Sequence, residues 1–138
     1  WCAAFVHHVG YWSHFDPRLK ASSWPLPATA SCYLLGHFAK RQNVLERTPV
    51  DGDVFLLFRP TLGRFAHAGI VGRVIDAGHT PGGSPWFDCH TIEGNSNEEG
   101  SREATSVVRI TRRFYPDVGD RFIRWPALDP TPHAHAAA

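Results

Sequence analysis

Three separate segments of the chain carry side chains whose types suit nucleophilic catalysis. Cys2 stands where a helix is predicted to begin, and the positive end of a helix dipole favours a thiolate over a thiol. His67 opens an apolar strand, so its imidazole can face a cleft while the residues after it anchor it in a sheet. Glu93 and Asn95 lie at a strand end, and either can orient an imidazole. Together these residues supply a nucleophile, a base and an orienting group.

Each of these residues also has a structural interpretation. Cys2 shares a helix-period apolar stripe with Phe5, Val9 and Trp12, and free cysteines are commonly buried and inert. The chain has nine histidines, and any one of them is more often a hydrogen-bonded structural residue than a catalytic base. Position alone therefore favours a buried, inert Cys2, and the catalytic interpretation depends on the three segments acting together.

The elements that must position these residues follow from hydrophobic periodicity. Helical spacing predicts helices over residues 2–15 and 28–42. Strands are predicted from the apolar runs at residues 54–58, 66–75, 86–92, 105–111 and 121–125. Helices that precede a run of antiparallel strands are typical of an α+β fold rather than an alternating α/β fold.

The composition is that of one globular domain. Of the 138 residues, 43% are hydrophobic and 20% are charged, which excludes a disordered chain. The net charge is +1, so no strong field attracts nucleic acid, and no apolar run approaches the roughly 20 residues of a membrane span. We therefore expect a monomeric domain over residues 1–127, followed by a flexible tail or linker over 128–138. A chain that begins at Trp1 suggests flanking domains in a longer protein.

The remaining cysteines and histidines make a weaker pattern. Three cysteines cannot all pair within a monomer, so at least one thiol is free. Five side chains have the types that bind zinc, namely Cys32, Cys89, His37, His79 and His90. They lack C-x-x-C or H-x-x-x-H spacing, so we expect no metal or other cofactor and interpret both cysteines as buried structural residues.

Two tryptophans are candidates for substrate binding. Trp24 and Trp86 lie beside prolines in predicted loops and could line a groove, although packing in the core or at its rim is the more usual role of tryptophan. The pair Arg112-Arg113 is expected on a solvated face. Loops predicted at residues 16–27, 78–85 and 93–102 would then determine specificity.

Four segments, taken together, resemble a known family. They occur in the order and approximate spacing of CHAP domains, the cysteine, histidine-dependent amidohydrolases/peptidases of the NlpC-type, papain-like superfamily. The segments are Trp1-Cys2-Ala3-Ala4-Phe5-Val6, Pro49-Val50-Asp51-Gly52-Asp53-Val54, His67-Ala68-Gly69-Ile70-Val71 and Ile92-Glu93-Gly94-Asn95. The resemblance covers residues 1 to about 125. It is weaker over residues 28–42, and members usually have a further segment ahead of the W-C-A motif.

The resemblance implies a papain-like fold, in which two or three N-terminal helices pack on a bent antiparallel sheet of five or six strands. By position, Cys2 matches the nucleophile, His67 the general base, Glu93 the residue that orients the histidine, and Asn95 the neighbouring amide. It implies a peptidoglycan hydrolase that cleaves an amide or peptide bond of the stem peptide or cross-bridge through a thioester. Such an enzyme would be secreted, periplasmic or delivered by a phage.

Two alternatives stay open beside this interpretation. One is a catalytically idle module that binds the cell wall or a partner. The other is a cysteine amidase or peptidase that uses the same thiol chemistry on an amide outside peptidoglycan. Both the amidase and the endopeptidase form of the wall hydrolase agree with the sequence.

Overall fold

A computed structural model describes residues 2–96, 106–128 and 133–134 of the chain. Within them lie the helices α1 (Cys2–Ser13) and α2 (Cys32–Arg41), and short 3-10 helices at Pro60–Leu62 and Trp125–Ala127. The strands are β1 (Phe15–Asp16), β2 (Ala21–Ser22), β3 (Leu45–Glu46), β4 (Val54–Arg59), β5 (Arg64–His79), β6 (Pro85–Ser96), β7 (Ser106–Phe114), β8 (Arg121–Ile123) and β9 (His133–Ala134). None of the helices in these ranges is long and apolar enough to cross a membrane.

The two predicted helices are both present. The buried face of α1 includes Cys2 and Phe5, but its apolar stripe stops short of Trp12, which is 50% exposed. The second helix begins later than its periodicity predicts because Ser31 caps it: the Ser31 hydroxyl oxygen accepts a hydrogen bond from the Leu34 backbone N–H at 3.2 Å.

The main sheet has six strands in the order β3-β8-β4-β5-β6-β7, and every neighbouring pair is antiparallel. This arrangement confirms the predicted α+β class. Helix α1 packs against β5 and β6, and α2 packs against β5. The pairing of β5 with β6 shifts register between Val71 and Arg73 and again between Val74 and Asp76. Such bulges bend and twist a sheet locally.

Two apolar clusters hold these layers together. The first lies between the helices and the sheet and includes Cys2, Cys32, Leu56 and Ala68. The second is smaller and gathers Phe55, Leu57, Val71, Cys89, Phe114 and Phe122. His67 on β5 contacts the Phe55 ring, with the ring centroids 5.8 Å apart. The histidine segment is therefore anchored in the sheet, as its apolar sequence predicts.

The predicted loop and tail segments contain strand residues, and the loop at 78–85 is shortened at both ends by β5 and β6. The segment 16–27 includes most of the β1–β2 hairpin. Strand β6 continues through Glu93, so the predicted loop at 93–102 starts later, and residues 97–105 lie outside the described residues. In the predicted tail, β9 pairs with β2, while residues 129–132 and 135–138 also lie outside the described part.

Replacing Gly10 with alanine is expected to lower the free energy of unfolding by about 1–3 kcal/mol, because overpacking a tight core forces side chains to move. A β-carbon at this α1 position would lie 2.1 Å from Cε2 of Trp24. The matched control is Gly82→Ala, whose nearest neighbour would be Thr80 Oγ1 at 3.8 Å. Urea denaturation should show a loss for Gly10→Ala alone. Equal midpoints for both variants would contradict the tight packing of α1 on Trp24.

Candidate active site

The thiol of Cys2 lies beside a second thiol at the start of α2. Its Sγ is 3.1 Å from Sγ of Cys32, and the two residues are only 7% and 6% exposed. A hydrogen bond from Cys32, together with the neighbouring His67 and the backbone N–H of Ala68, lowers the pKa of Cys2 to about 4 even though burial opposes the shift. These interactions therefore favour the thiolate form of Cys2.

The imidazole of His67 is held from one side by a carboxylate. Its Nε2 lies 2.7 Å from Oε2 of Glu93, and the two side chains are 1% and 0% exposed. Burial alone would lower the pKa of His67, but interaction with Cys2 and with Glu93 raises it above its ordinary value. Its Nδ1 is buried and makes no hydrogen bond of normal geometry with the described residues. This nitrogen is thus the one left to exchange a proton with a reacting group.

Glu93 is fixed by donors from two strands. Thr91 Oγ1 donates to its Oε1 at 2.7 Å, and Arg112 on β7 donates from Nε and Nη2 to the two carboxylate oxygens, both at 2.8 Å. Burial raises the pKa of a carboxyl group, but the hydrogen bonds from His67, Arg112 and Thr91 outweigh it and lower the pKa of Glu93 to about 2. The carboxyl group of Glu93 is therefore ionised at neutral pH and can pair with the imidazole of His67.

These side chains form a row of alternating charge from Cys2 to Arg112. Each group has a neighbour of opposite charge. The Cys2 thiolate neighbours the imidazolium of His67, and the carboxylate of Glu93 lies between that imidazolium and the guanidinium of Arg112. An opposite charge beside each buried charge offsets the free-energy cost of removing that charge from water. It also keeps a proton on Nε2 of the imidazole, facing the carboxylate, whether or not Nδ1 is protonated. The arrangement can deliver a thiolate nucleophile and a proton donor to one bond.

The structure brings together three of the predicted site residues, Cys2, His67 and Glu93. The fourth, Asn95, lies on β6 two residues after Glu93, and its side chain lies outside the described part of the chain. The sequence interpretation missed two contributors. Cys32 was expected to be an inert buried residue, and Arg112 was expected on a solvated face.

The prediction for Arg112 was wrong because its side chain is only 16% exposed and binds Glu93 through two hydrogen bonds. Arg113 points away from it, is 44% exposed, and pairs with Asp88. The two arginines alternate along β7, so one of them faces the buried carboxylate. For Cys32, the Ser31 cap was the signal that could have placed a second thiol at a helix N-terminus.

The structure does not place the two candidate tryptophans beside this row. Trp24 is 3% exposed and packs in the first apolar cluster against Trp125, with ring centroids 4.7 Å apart, so it belongs to the core. Trp86 lies under the guanidinium of Arg113, which is 3.8 Å from its ring centroid. It precedes Glu93 by seven residues on β6, which is about 23 Å along an extended strand. Packing therefore accounts for both rings, that of Trp24 in the core and that of Trp86 under Arg113.

A groove of about 590 Å³ lies over β6 and β7. Its lining includes Ile92, His90, Arg109 and Thr111. The side chains of Thr91 and Glu93 alternate with those of His90 and Ile92 along β6, so the groove and the buried carboxylate lie on opposite faces of the strand. Within the described ranges, no group of three or more His, Cys, Asp or Glu side chains is arranged to hold a metal ion, so the structure adds nothing to the weak zinc pattern of the sequence.

Replacing Cys32 with alanine is expected to raise the pH midpoint of Cys2 alkylation by roughly 1–2 units, since a hydrogen bond to a charged group contributes about 1.5–3 kcal/mol and one pKa unit is about 1.4 kcal/mol. In the original chain the rate of iodoacetamide labelling should rise through about pH 4, the pKa of Cys2. Cys32→Ser, which keeps a donor, should retain part of the shift.

Cys89 provides the matched control for this measurement. It is fully buried in the second cluster, and burial together with nearby carboxylates raises its pKa to about 12, so it does not react under the same conditions. Cys89→Ala should leave the midpoint unchanged. An unchanged midpoint in Cys32→Ala would show that Cys32 does not stabilise the thiolate.

Comparison with known proteins adds no family assignment to this geometry. The chain gives no significant match to any protein-family model, curated protein or solved structure. The chemistry assigned to the chain therefore depends on the arrangement of Cys2, His67 and Glu93.

Proposed function

We propose that the chain is a cysteine amidohydrolase or endopeptidase that cleaves an amide or peptide bond in peptidoglycan. One observation supports this above all others. A thiol whose pKa is lowered to about 4 lies beside an imidazole, and that imidazole is held at 2.7 Å by a buried carboxylate. A low-pKa thiol next to a base that a third group orients is the signature of an activated cysteine nucleophile.

The proposed reaction is acyl transfer through a thioester. Sγ of Cys2 attacks the carbonyl carbon, and a proton from Nδ1 of His67 goes to the leaving nitrogen as the C–N bond breaks. Water then attacks the thioester, giving its proton to His67, and the thiolate leaves. Glu93 remains ionised and holds the ring in place throughout. The backbone N–H of Cys2, at the positive end of α1, is positioned to stabilise the oxyanion.

The papain-like part of the proposal is supported by the order and packing of the elements. Two helices precede a six-stranded antiparallel sheet, the nucleophile begins the first helix, and the base and its partner lie on adjacent strands β5 and β6. The CHAP resemblance implies the same order. The bulges in β5 add the bend that the resemblance implies.

Peptidoglycan as the substrate is supported by the resemblance. This substrate would place the protein at the cell wall, reached by secretion or from a phage.

The test is product analysis after digestion of purified peptidoglycan, with the Cys2→Ala variant in parallel. An amidase releases intact stem peptides from the glycan, whereas an endopeptidase leaves new amino and carboxyl ends within the peptides. Mass spectrometry distinguishes the two. Cleavage of other peptides or amides but not of peptidoglycan would contradict the substrate, and wall binding without any product would favour an idle module.

A further inference from the structure

Two thiols lie side by side at the starts of the two helices, and the proposed hydrolysis requires no bond between them. Cys2 begins α1 and Cys32 begins α2, and their sulfur atoms are 3.1 Å apart. Both are free thiols, and Cys89, the third cysteine of the chain, lies apart from them in the second apolar cluster. Hydrolysis through a thioester makes a covalent bond to one sulfur atom, so the Cys32 sulfur, which only donates a hydrogen bond in that reaction, is available for covalent chemistry of its own.

We propose that Cys2 and Cys32 form a reversible redox switch, in which mild oxidation joins the two sulfur atoms in a disulfide and reduction restores the nucleophile. The formation of the disulfide depends only on the two thiols. The loss of hydrolysis that accompanies it rests on the proposed function. Oxidation would thus inactivate the enzyme without destroying its nucleophile.

The geometry favours this bond over other oxidation products. A disulfide bond is about 2.0 Å long, so the two sulfur atoms need to approach each other by about 1 Å. The two cysteines lie on different helices, so rotation of their side chains can supply this movement. No thiol among the described residues lies closer to Cys2 than Cys32.

With hydrogen peroxide as oxidant, the chemistry has two balanced steps. The Cys2 thiolate attacks one peroxide oxygen, an S–O bond forms, the O–O bond breaks, and hydroxide leaves, which gives a sulfenic acid. The Cys32 sulfur then attacks the Cys2 sulfur, an S–S bond forms, the S–O bond breaks, and water leaves with the Cys32 proton. The two sulfurs lose two electrons in total, and the peroxide gains them.

The electrostatics of the pair set the order of these steps. Cys2 is the thiolate and reacts first, while the hydrogen bond to Cys2, burial and the negative charge of Cys2 raise the pKa of Cys32. Once Cys2 is a neutral sulfenic acid, its negative charge no longer opposes ionisation of Cys32. The first step therefore activates the second thiol, which favours the disulfide over further oxidation of Cys2.

The experiment oxidises the purified full chain with a small excess of hydrogen peroxide and counts thiols after denaturation. The count should fall from three to one, and digestion should yield a peptide that joins Cys2 to Cys32. Dithiothreitol should restore all the thiols and the iodoacetamide reactivity of Cys2. These readouts do not use peptidoglycan, so they remain decisive even if the proposed substrate is wrong.

The control variants separate the switch from general oxidation. In Cys32→Ala, Cys2 should advance to sulfinic acid, which dithiothreitol does not reduce, so reactivity should not return. Cys89→Ala should behave as the original chain, with the same joined peptide. The proposal is overturned if no peptide joins Cys2 to Cys32, or if Cys32→Ala recovers as fully as the original chain.

Discussion

Replacing Cys2 with alanine is expected to reduce the hydrolysis of purified peptidoglycan by roughly 10⁴-fold or more, since loss of a covalent nucleophile removes most of an enzyme's rate enhancement. No other thiol occupies the position of its sulfur, because Cys32 Sγ lies 3.1 Å away at the start of another helix and Cys89 lies in the second cluster. Release of soluble wall fragments measures the activity. Serine should fail as well, because its hydroxyl does not ionise in this environment.

The fold must survive the substitution for this result to be informative. Cys2→Ala removes one sulfur atom from the start of α1, so circular dichroism and the thermal midpoint should change little. Cys89→Ala is the matched control, because it also removes a buried thiol, but from the second cluster and not from the Cys2–Cys32 pair. It should keep its activity. Undiminished hydrolysis by a folded Cys2→Ala protein would rule out Cys2 as the nucleophile.

Local patterns were enough to predict the elements that carry Cys2 and His67. Helical periodicity placed Cys2 at the start of α1, and the apolar run after His67 predicted its strand. These signals are local because a helix stripe or a strand alternation is read from neighbouring residues. The sequence therefore predicted the α+β class and the segments that carry the nucleophile and the base.

The contacts between distant segments were not predictable in the same way. Cys32 lies 30 residues from Cys2 in sequence, and only the packing of α2 beside α1 makes them neighbours. Arg112 reaches Glu93 because β7 pairs with β6 in one particular register, which the alternation of β7 alone does not specify. The burial of Trp24 was not predictable for a similar reason. Its proline neighbours suggest an exposed loop, but its ring fills the core next to Gly10.

Strand β6 shows why the site itself departs from the sequence pattern. The predicted strand stops before Glu93 because charged side chains are rarely fully buried, yet β6 continues through Glu93 with the side chain fully buried. The strand tolerates this charge because Arg112, Thr91 and His67 all bind it. Exceptions to local rules of this kind are expected where function requires a buried charge.

Replacing Arg112 with methionine is expected to lower the free energy of unfolding by about 3–5 kcal/mol, because it leaves a buried carboxylate without its counter-charge. Glu93 is 0% exposed and would lose two hydrogen bonds of 2.8 Å. The pKa of Glu93 should rise from about 2, so the carboxyl group becomes easier to protonate and holds His67 less firmly. Chemical denaturation measures the first effect, and peptidoglycan hydrolysis by the folded fraction measures the second.

The neighbouring arginine provides the control for this prediction. Arg113→Met also breaks a two-bond contact with a carboxylate, that of Asp88, but this pair is exposed and should cost much less stability. Adding Glu93→Gln to Arg112→Met should recover part of the loss, because a neutral amide needs no counter-charge. Two outcomes would contradict the prediction: an equal loss of unfolding free energy in the two arginine variants, or no recovery of it in the double variant. Either would mean that the Arg112 side chain stabilises the fold by packing and not by its pairing with Glu93.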